Sequence, residues 1–191
     1  MNDVMECFSR EGSFILPEDL AHKIFSGAED VWVGPRESVI GYGKVDTNIY
    51  IVAEGILRAG YFDGNKEVTL AFTDIGTMFM SLHGYFAGKP AFIYYQACSK
   101  CLLKRISKEF FDNLIEESPV FARWVYSVAI HQLYALERKV SLINGTVKER
   151  YLALIKNRPD IIKNVSMKVI ASYLGVSPYY LCRLKKTLLN E

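Results

Sequence analysis

Histidine and cysteine, the side chains that most often bind transition metals, are scarce in this sequence. There are three histidines and four cysteines among 191 residues. Cys98 and Cys101 have the CxxC spacing of redox and metal motifs, but neither a second pair nor a clustered histidine completes a tetrahedral site. We therefore predict no metal and no cofactor. We interpret the cysteines as reduced structural thiols, with a redox or iron–sulfur role as the alternative.

Long hydrophobic runs and catalytic motifs are also missing. No run reaches the roughly 18 apolar residues of a membrane-spanning helix, and the first residues, MNDVMECFSREGSF, lack the apolar core of a signal peptide. These absences predict a cytoplasmic protein. Because no Ser-His-Asp set, paired carboxylates or phosphate-binding loop stands out, the sequence does not predict an enzyme.

The charge is unevenly distributed, although the net charge is only +2. Residues 146–191 contain nine lysines and arginines against three acidic residues, a balance of +6. Residues 1–145 contain fourteen against eighteen, a balance of −4. A basic segment attached to an acidic body predicts a polyanionic partner such as nucleic acid. An ordinary solvated basic surface is the alternative.

Short apolar or alternating runs, separated by glycine and proline, predict strands between about residues 29 and 106. Asp-Gly-Asn-Lys at 63–66 predicts a hairpin turn, because glycine and asparagine tolerate the positive φ of a tight turn. Alternation after this turn predicts that Val68, Leu70 and Phe72 lie on one face. Closely spaced strands of this kind indicate a small roll or barrel. The predicted strands cover residues 31–33, 38–40, 49–52, 56–62 and 66–72.

Helical patterns take over after Ser107. A short helix over about 108–117 precedes Ser118-Pro119, an N-cap followed by proline at the first helical position. The next helix, 119–144, carries two apolar stripes, so both of its faces must be covered. One face can pack on the roll, and pairing with a second copy in a homodimer covers the other; burial within one monomer is the alternative. The stripes are Val125, Ala129, Leu133, Leu136, Val140 and Ile143, and Phe121, Trp124, Val128, His131 and Ala135.

The long helix ends at an Asn-Gly pair at 144–145, which predicts a domain boundary. Thr146 and Glu149 then form a capping box that opens another helix. Pro159 stops this helix at about Arg158.

The last 26 residues carry the most specific pattern, that of a helix-turn-helix. Ser166 opens a first helix and Ser177-Pro178 a second, and Gly175 supplies the left-handed backbone of the turn between them. Ala171 provides the small side chain that two steeply crossing helices need at their closest approach. An αα-hairpin without a role in DNA binding is the alternative. The pattern resembles the helix-turn-helix of bacterial regulators at Ile170, Ala171, Leu174, Gly175, Val176, Leu181 and Leu184.

In this motif the second helix enters the major groove of duplex DNA with its N-terminal residues against the base edges. Arg183 is the best candidate to read a base, because its guanidinium matches O6 and N7 of guanine. The lysines are better placed for phosphates, and the serines at helix N-termini suit the DNA backbone. The predicted DNA-binding residues are Ser166, Lys168, Ser177, Pro178, Tyr179, Tyr180, Arg183, Lys185 and Lys186.

From about Leu16 to Lys186 the chain resembles the cyclic-AMP receptor protein / fumarate–nitrate regulator (Crp/Fnr) family. The resemblance rests on IYIVAEGILR at 49–58, on Glu-Arg-Tyr-Leu at 149–152 and on the helix-turn-helix; the short ending is similar to the Bacteroidetes branch. It implies a cytosolic homodimer that activates or represses transcription at operator DNA, with RNA polymerase as a further partner. It also implies an α+β fold in three parts: a cupin-like, cyclic-nucleotide-binding-like β-roll (1–117), a dimerisation helix (118–145) and a helix-turn-helix domain (146–191).

The cyclic-nucleotide cassette of that family is degenerate in this chain. Aligned from Gly76, Met80 and Ser81 replace a glycine-glutamate pair, and Ala91 and Phe92 replace an arginine-serine pair. Because a buried phosphate without a cationic partner is strongly disfavoured, we do not expect cyclic-nucleotide binding. An apolar effector could occupy the cavity instead, unless the side chains fill it themselves. The candidate effector pocket comprises Met78, Phe79, Met80, Leu82, Phe92 and Tyr94.

The recognition helix departs from the family as well. Pro178-Tyr179 stands where the family has a basic-acidic pair, so we expect a different operator preference.

The alternative function is a small-molecule sensor whose DNA-binding domain is weak or vestigial.

Overall fold

The chain begins with two helices that none of the patterns above predicts. The computed structural model describes residues 2–142 and 145–189, and these helices are α1 (Asn2–Ser9) and α2 (Glu18–Ser26). Phe8 and Ile24 are fully buried, and the ring centroids of Phe8 and Trp124 lie 4.7 Å apart. Both helices therefore pack into a core that strands and the long helix share.

Within the described residues, eight antiparallel strands form the roll. They are β1 (Glu29–Val33), β2 (Ser38–Ile40), β3 (Ile49–Glu54), β4 (Leu57–Asp63), β5 (Lys66–Phe72), β6 (Met78–Met80), β7 (Tyr94–Ala97) and β8 (Cys101–Ile106). One sheet has the order β1-β8-β3-β6 and the other the order β2-β7-β4-β5. All five runs predicted as strands coincide with strands of the roll, within a residue or two at their ends.

β3 and β4 belong to different sheets, and Gly55 makes the sharp connection between them. Its φ is 88°, a left-handed value that favours glycine. A Cβ atom on Gly55 would lie 2.5 Å from the carbonyl oxygen of Lys100. The close approach of these two segments therefore requires a glycine within IYIVAEGILR, one of the segments that carry the family resemblance.

The hairpin predicted at 63–66 joins β4 to β5, but the predicted face of β5 is wrong. The pairing of β5 with β4 skips Leu70, which is therefore the extra residue of a β-bulge. The bulge shifts the alternation of side chains by one position. As a result, Phe72 lies on the same face as Thr69, not on the face of Val68.

Three helices follow or interrupt the strands: α3 (Leu82–Ala87), α4 (Lys108–Glu117) and α5 (Pro119–Leu142). The predicted start of the long helix is confirmed. The Ser118 hydroxyl accepts a hydrogen bond from the Phe121 backbone N–H at 3.2 Å, and Pro119 occupies the first helical position. The 24 residues of α5 span about 36 Å.

One face of α5 packs on the roll and the other is open. Phe121, Trp124 and Val128 are buried, whereas His131 and Ala135, which continue the same predicted stripe, are exposed. The described chain thus covers one stripe over the first turns of the helix. Val140 and Ile143 of the other predicted stripe, and Asn144 at the predicted end of the helix, lie outside the described side chains. Exposed apolar side chains on α5 include Tyr126, Ile130, Leu133, Tyr134 and Leu136.

The C-terminal helices are α6 (Val147–Asn157), α7 (Pro159–Asn164), α8 (Met167–Leu174) and α9 (Pro178–Leu189). The capping box of α6 is confirmed: the Thr146 hydroxyl accepts from the Glu149 N–H at 3.2 Å, and the Glu149 carboxylate accepts from the Thr146 N–H at 2.8 Å. The division at 117/118 and 145/146 stays a prediction. None of the described helices is long and apolar enough to cross a membrane.

Candidate nucleic-acid interface

α8 and α9 pack on each other around a small core that α6 and α7 complete. Ala171 of α8 and Leu181 of α9 have no exposed surface, as expected if the small alanine lies where the helices approach most closely. Val176 and Leu184 pack at the edge of this core. The buried residues of the cluster in α6 to α9 are Tyr151, Leu154, Ile161, Val165, Ile170, Ala171, Leu174 and Leu181.

Gly175 ends α8 in the predicted left-handed conformation, with φ 73° and ψ 25°. Its N–H donates to the carbonyl oxygens of Ala171 and Ser172. Ser177 then begins α9, because its hydroxyl accepts from the Tyr180 N–H at 3.1 Å. At the start of α8, the Ser166 hydroxyl makes no capping hydrogen bond. The predicted cap by Ser166 is therefore wrong, and local sequence signals account only for the turn and for the start of α9.

Every predicted DNA-binding residue is exposed. Tyr179, Arg183 and Lys186 are spaced at i, i+4 and i+7, so they share one face of α9. The Arg183 guanidinium carbon lies 6.0 Å from the centroid of the Tyr179 ring. The complete exposed set is Ser166, Lys168, Ser177, Pro178, Tyr179, Tyr180, Arg183, Lys185 and Lys186.

The charge of α9 suits an anionic partner. Its sequence, PYYLCRLKKTLL, contains three basic residues and no acidic residue. The backbone N–H groups at its start also favour anions, because the helix dipole is positive there. A guanidinium, two ammonium groups and exposed tyrosine rings on one helix form a surface that can contact phosphates and base edges.

The interior of the roll is filled by aromatic side chains. The Phe79 ring stacks between the rings of Tyr50 and Tyr95, at centroid distances of 5.4 and 4.5 Å, and burial raises the pKa of Tyr95. Ala91, at the position aligned with the cassette arginine, is buried in the same cluster. Ser81 caps α3 by accepting a backbone hydrogen bond at 3.1 Å. These positions therefore supply packing and a helix cap, with no cation for a phosphate.

A cavity of about 480 Å³ lies outside this stack, between β6, α3, α4 and α5. Four residues of the candidate effector pocket line it, but Phe92 and Tyr94 do not. Phe92 is 57% exposed, and the Tyr94 ring centroid lies 5.2 Å from the guanidinium carbon of Arg58. Helices α3, α4 and α5 supply most of the other lining residues, which are Tyr85, Phe86, Tyr95, Lys108, Phe111, Asp112, Ile115, Val125, Val128, Ala129 and Gln132.

The polar groups around the cavity bind one another. Lys108 Nζ lies 2.5 Å from Asp112 Oδ2 and 4.0 Å from the centroid of the Tyr85 ring. The Gln132 side-chain amide donates to the carbonyl oxygen of Met78 at 2.9 Å. Because most of the other lining residues are apolar or aromatic, the wall of the cavity is mainly apolar.

The CxxC cysteines form no disulfide in the structure. Cys101 is buried and hydrogen-bonds to the carbonyl oxygens of Ser99 and Ile56, at 3.3 and 3.5 Å. Burial raises the pKa of Cys98 to about 11 and also raises that of Cys101. Because the thiolate is the reactive and metal-binding form, this geometry favours the structural interpretation. Within residues 2–142 and 145–189, no group of three or more His, Cys, Asp or Glu could hold a metal ion.

One contact of the helix-turn-helix has no local sequence signal, because it joins α8 to the roll. The Ser172 hydroxyl lies 3.0 Å from both the backbone nitrogen of Thr69 and the carbonyl oxygen of Glu67. Arg158, which separates α6 from α7, forms an ion pair with Asp74 at 2.6 Å. Ser172 is 103 positions from Thr69 in the sequence, so the tertiary fold alone brings them together.

No protein-family model and no curated protein sequence matches the chain, but solved structures do. FixK2 from Bradyrhizobium japonicum has a TM-score of 0.74 at 17% identity, covering 85% of each chain. The c-di-GMP-responsive global regulator CLP of Xanthomonas campestris has a TM-score of 0.74 at 19% identity, covering 91% of this chain and 92% of that one. The catabolite activator protein of Thermus thermophilus has a TM-score of 0.57 at 16% identity, covering 92% and 84%.

These similarities establish the fold. The chain has the α+β fold of the Crp/Fnr-type regulators, with an antiparallel β-roll followed by helices. The predicted fold class is thereby confirmed. Identities below a fifth carry no residue roles from those proteins to this chain.

Proposed function

We propose that this protein is a DNA-binding transcriptional regulator of the Crp/Fnr type. The observation that carries the proposal is the exposed face of α9, where Tyr179, Arg183 and Lys186 project from a helix-turn-helix whose core is closed behind them. In this motif, such a face reads the major groove. Arg183 reads a guanine, and Lys168, Lys185 and Lys186 bind phosphates. In the same proposal, the regulator also contacts RNA polymerase. It acts in the cytoplasm and belongs to the Bacteroidetes branch of the family.

The active form in this proposal is a homodimer through α5. Leu133 and Tyr134 of α5 are 55% and 59% exposed in the single chain, and neighbouring apolar side chains extend this open face. A second copy of α5 would cover it and remove the apolar surface from water. The two copies of Arg183 would then read half-sites about 34 Å apart.

The regulator does not respond to cyclic nucleotides in this proposal. The Tyr50–Phe79–Tyr95 stack occupies the roll interior, and Ala91 offers no charge where the family's arginine binds the phosphate. Burying the phosphate monoanion of a cyclic nucleotide there would cost far more free energy than the available contacts return.

Selection of duplexes from a random library, followed by anisotropy titration of the selected site, tests the proposal. Arg183→Ala should weaken binding to that site by about 1–3 kcal/mol and relax the preference at one base pair. Arg10→Ala is the matched control, because Arg10 is an exposed arginine directly after α1 whose partner is Glu6. Failure to enrich any sequence, together with an affinity that Arg183→Ala leaves unchanged, would refute the proposal.

The cavity of about 480 Å³ favours a second candidate function, a sensor of apolar small molecules. Its volume lies within the range of ligand pockets, and its wall is mainly apolar. In this alternative the DNA-binding unit is weak or vestigial. A thermal shift with an apolar compound, combined with a DNA titration that shows no binding, would favour the sensor over the regulator.

A further inference from the structure

The hydroxyl of Ser172 connects the helix-turn-helix to the outer edge of the roll. β5 is the last strand of its sheet, and an edge strand carries backbone groups that no neighbouring strand can bind. The Ser172 hydroxyl accepts a hydrogen bond from the Thr69 N–H and donates one to the Glu67 carbonyl oxygen, each at 3.0 Å. One side chain of α8 thus satisfies two backbone groups of the edge strand.

An ion pair lies beside this connection. Arg158 Nη2 lies 2.6 Å from Asp74 Oδ1 and 2.9 Å from Asp160 Oδ2. The hydrogen bond from Arg158 lowers the pKa of Asp160. Burial raises the pKa of Asp74, and Arg158 opposes that increase. The guanidinium therefore joins the α6–α7 junction to the segment that follows β5.

Apolar packing completes the contact. The ring centroids of Phe72 and Tyr173 lie 5.1 Å apart, and Ile56 and Cys98 of the roll belong to the same apolar cluster as the core of the helix-turn-helix. The β-bulge at Leu70 explains the position of Phe72, because it places Phe72 on the face of Thr69. The Phe72 ring thus meets Tyr173 of α8 close to the Thr69 N–H that Ser172 binds.

We propose that this contact, with Ser172 as its positioning residue, holds the DNA-binding unit on its own roll in the orientation that binds DNA. The inference rests on the proposed DNA-binding function. All of the predicted DNA-binding residues remain exposed in the docked arrangement, so docking fixes the unit while leaving its reading face open. A unit held in one orientation loses less conformational entropy on binding than one that is free to rotate.

The pair Ser172→Thr and Ser172→Val tests the role of the hydroxyl. Threonine and valine have nearly the same shape and similar helix propensities, but only threonine keeps the hydrogen-bonding group. Amide hydrogen exchange of Thr69 is the first measurement and needs no DNA. We expect Ser172→Val to accelerate exchange at Thr69 by about tenfold or more, while Ser172→Thr leaves it close to wild type.

DNA affinity at the selected site is the second measurement. We expect Ser172→Val to weaken it by about threefold to tenfold and Ser172→Thr to preserve it. Asp74→Asn should act in the same direction. Asp30→Asn is its control, because it removes an ion pair with Lys104 in the other sheet of the roll. Thermal denaturation confirms that each variant is folded, with Ser172→Ala as a replacement if valine disturbs α8.

The two measurements separate the possible failures. Unchanged exchange at Thr69 in Ser172→Val shows that α8 is not held on β5 in solution and overturns the inference. Faster exchange with unchanged or tighter DNA binding also overturns it, because docking would then not be the binding orientation. A wild-type chain that shows protection at Thr69 but binds no DNA refutes the proposed function instead.

Discussion

The helix-turn-helix and the interior of the roll both rest on small clusters of buried apolar side chains, but they present different surfaces. In the helix-turn-helix, the core around Ala171 and Leu181 holds α9 with its basic and aromatic side chains exposed. In the roll, the Phe79 ring stacks between Tyr50 and Tyr95 and fills the interior. A cavity large enough for a small molecule lies beside that stack, against α4 and α5.

The helix-turn-helix and the roll therefore depart from the family pattern to different degrees. The helix-turn-helix has the buried and exposed positions that the family resemblance implies. The roll has neither the arginine nor the glutamate of the cassette at the aligned positions. The roll therefore has a mainly apolar cavity beside it and no cation at the aligned position of the cassette arginine.

Removal of the central ring of the aromatic stack is expected to have the largest effect. Phe79→Ala should lower the free energy of unfolding by about 3–5 kcal/mol, because it leaves a void between Tyr50 and Tyr95. Phe92→Ala is the matched control, since Phe92 is 57% exposed, and it should change stability by less than about 0.5 kcal/mol. Urea denaturation of both variants measures the difference. Similar small losses for the two would show that the interior of the roll is loosely filled.

The helix-turn-helix could be predicted from the sequence because its determinants are local. Gly175 ends α8 with a left-handed φ that glycine favours, Ser177 caps α9, and Ala171 lies four residues before Gly175. Each of these signals acts within one or two helical turns. The same holds for the Asp-Gly-Asn-Lys hairpin and for the capping box at Thr146.

The rest of the molecule depends on contacts between distant segments. The bulge at Leu70 is defined by the pairing of β5 with β4. The alternation of residues along β5 gives no sign of it. The cavity is formed by packing α4 and α5 beside β6, so Gln132 and Lys108 could not be assigned to it from the sequence. The contact of Ser172 with Thr69 likewise requires the tertiary fold.

A buried carboxyl group should make the two regions respond differently to pH. Burial raises the pKa of Glu11, which accepts a hydrogen bond from the Met78 N–H at 3.0 Å, from 4.5 to about 7. Between these values the folded state binds more protons than the unfolded state, so stability falls as pH rises through this window. On α7, the hydrogen bond from Arg158 lowers the pKa of Asp160. The stability that this carboxyl contributes is therefore lost only below about pH 3.8, its ordinary pKa.

The variant Glu11→Gln tests this pH dependence. In the wild type, the Glu11 contribution should decrease by about 1–3 kcal/mol between pH 4.5 and pH 7. The difference in unfolding free energy between wild type and Glu11→Gln should therefore change by that amount across the window. Denaturant titrations at several pH values measure it. A difference that stays constant from pH 4.5 to pH 7 would show that Glu11 is ionised normally in the folded protein.

The smallest expected effect comes from two glycines in matched conformations, one in each region. Gly175 in the helix-turn-helix has φ 73° and Gly43 in the roll has φ 71°, and an added Cβ would meet no atom within 4 Å at either position. Alanine at each should therefore cost about 1 kcal/mol of stability from backbone strain alone. The consequences for DNA should differ, because Gly175 sets the angle between α8 and α9. Anisotropy titration should show weaker binding for Gly175→Ala and unchanged binding for Gly43→Ala, and an equal loss in both would mean that affinity follows overall stability rather than the geometry of the turn.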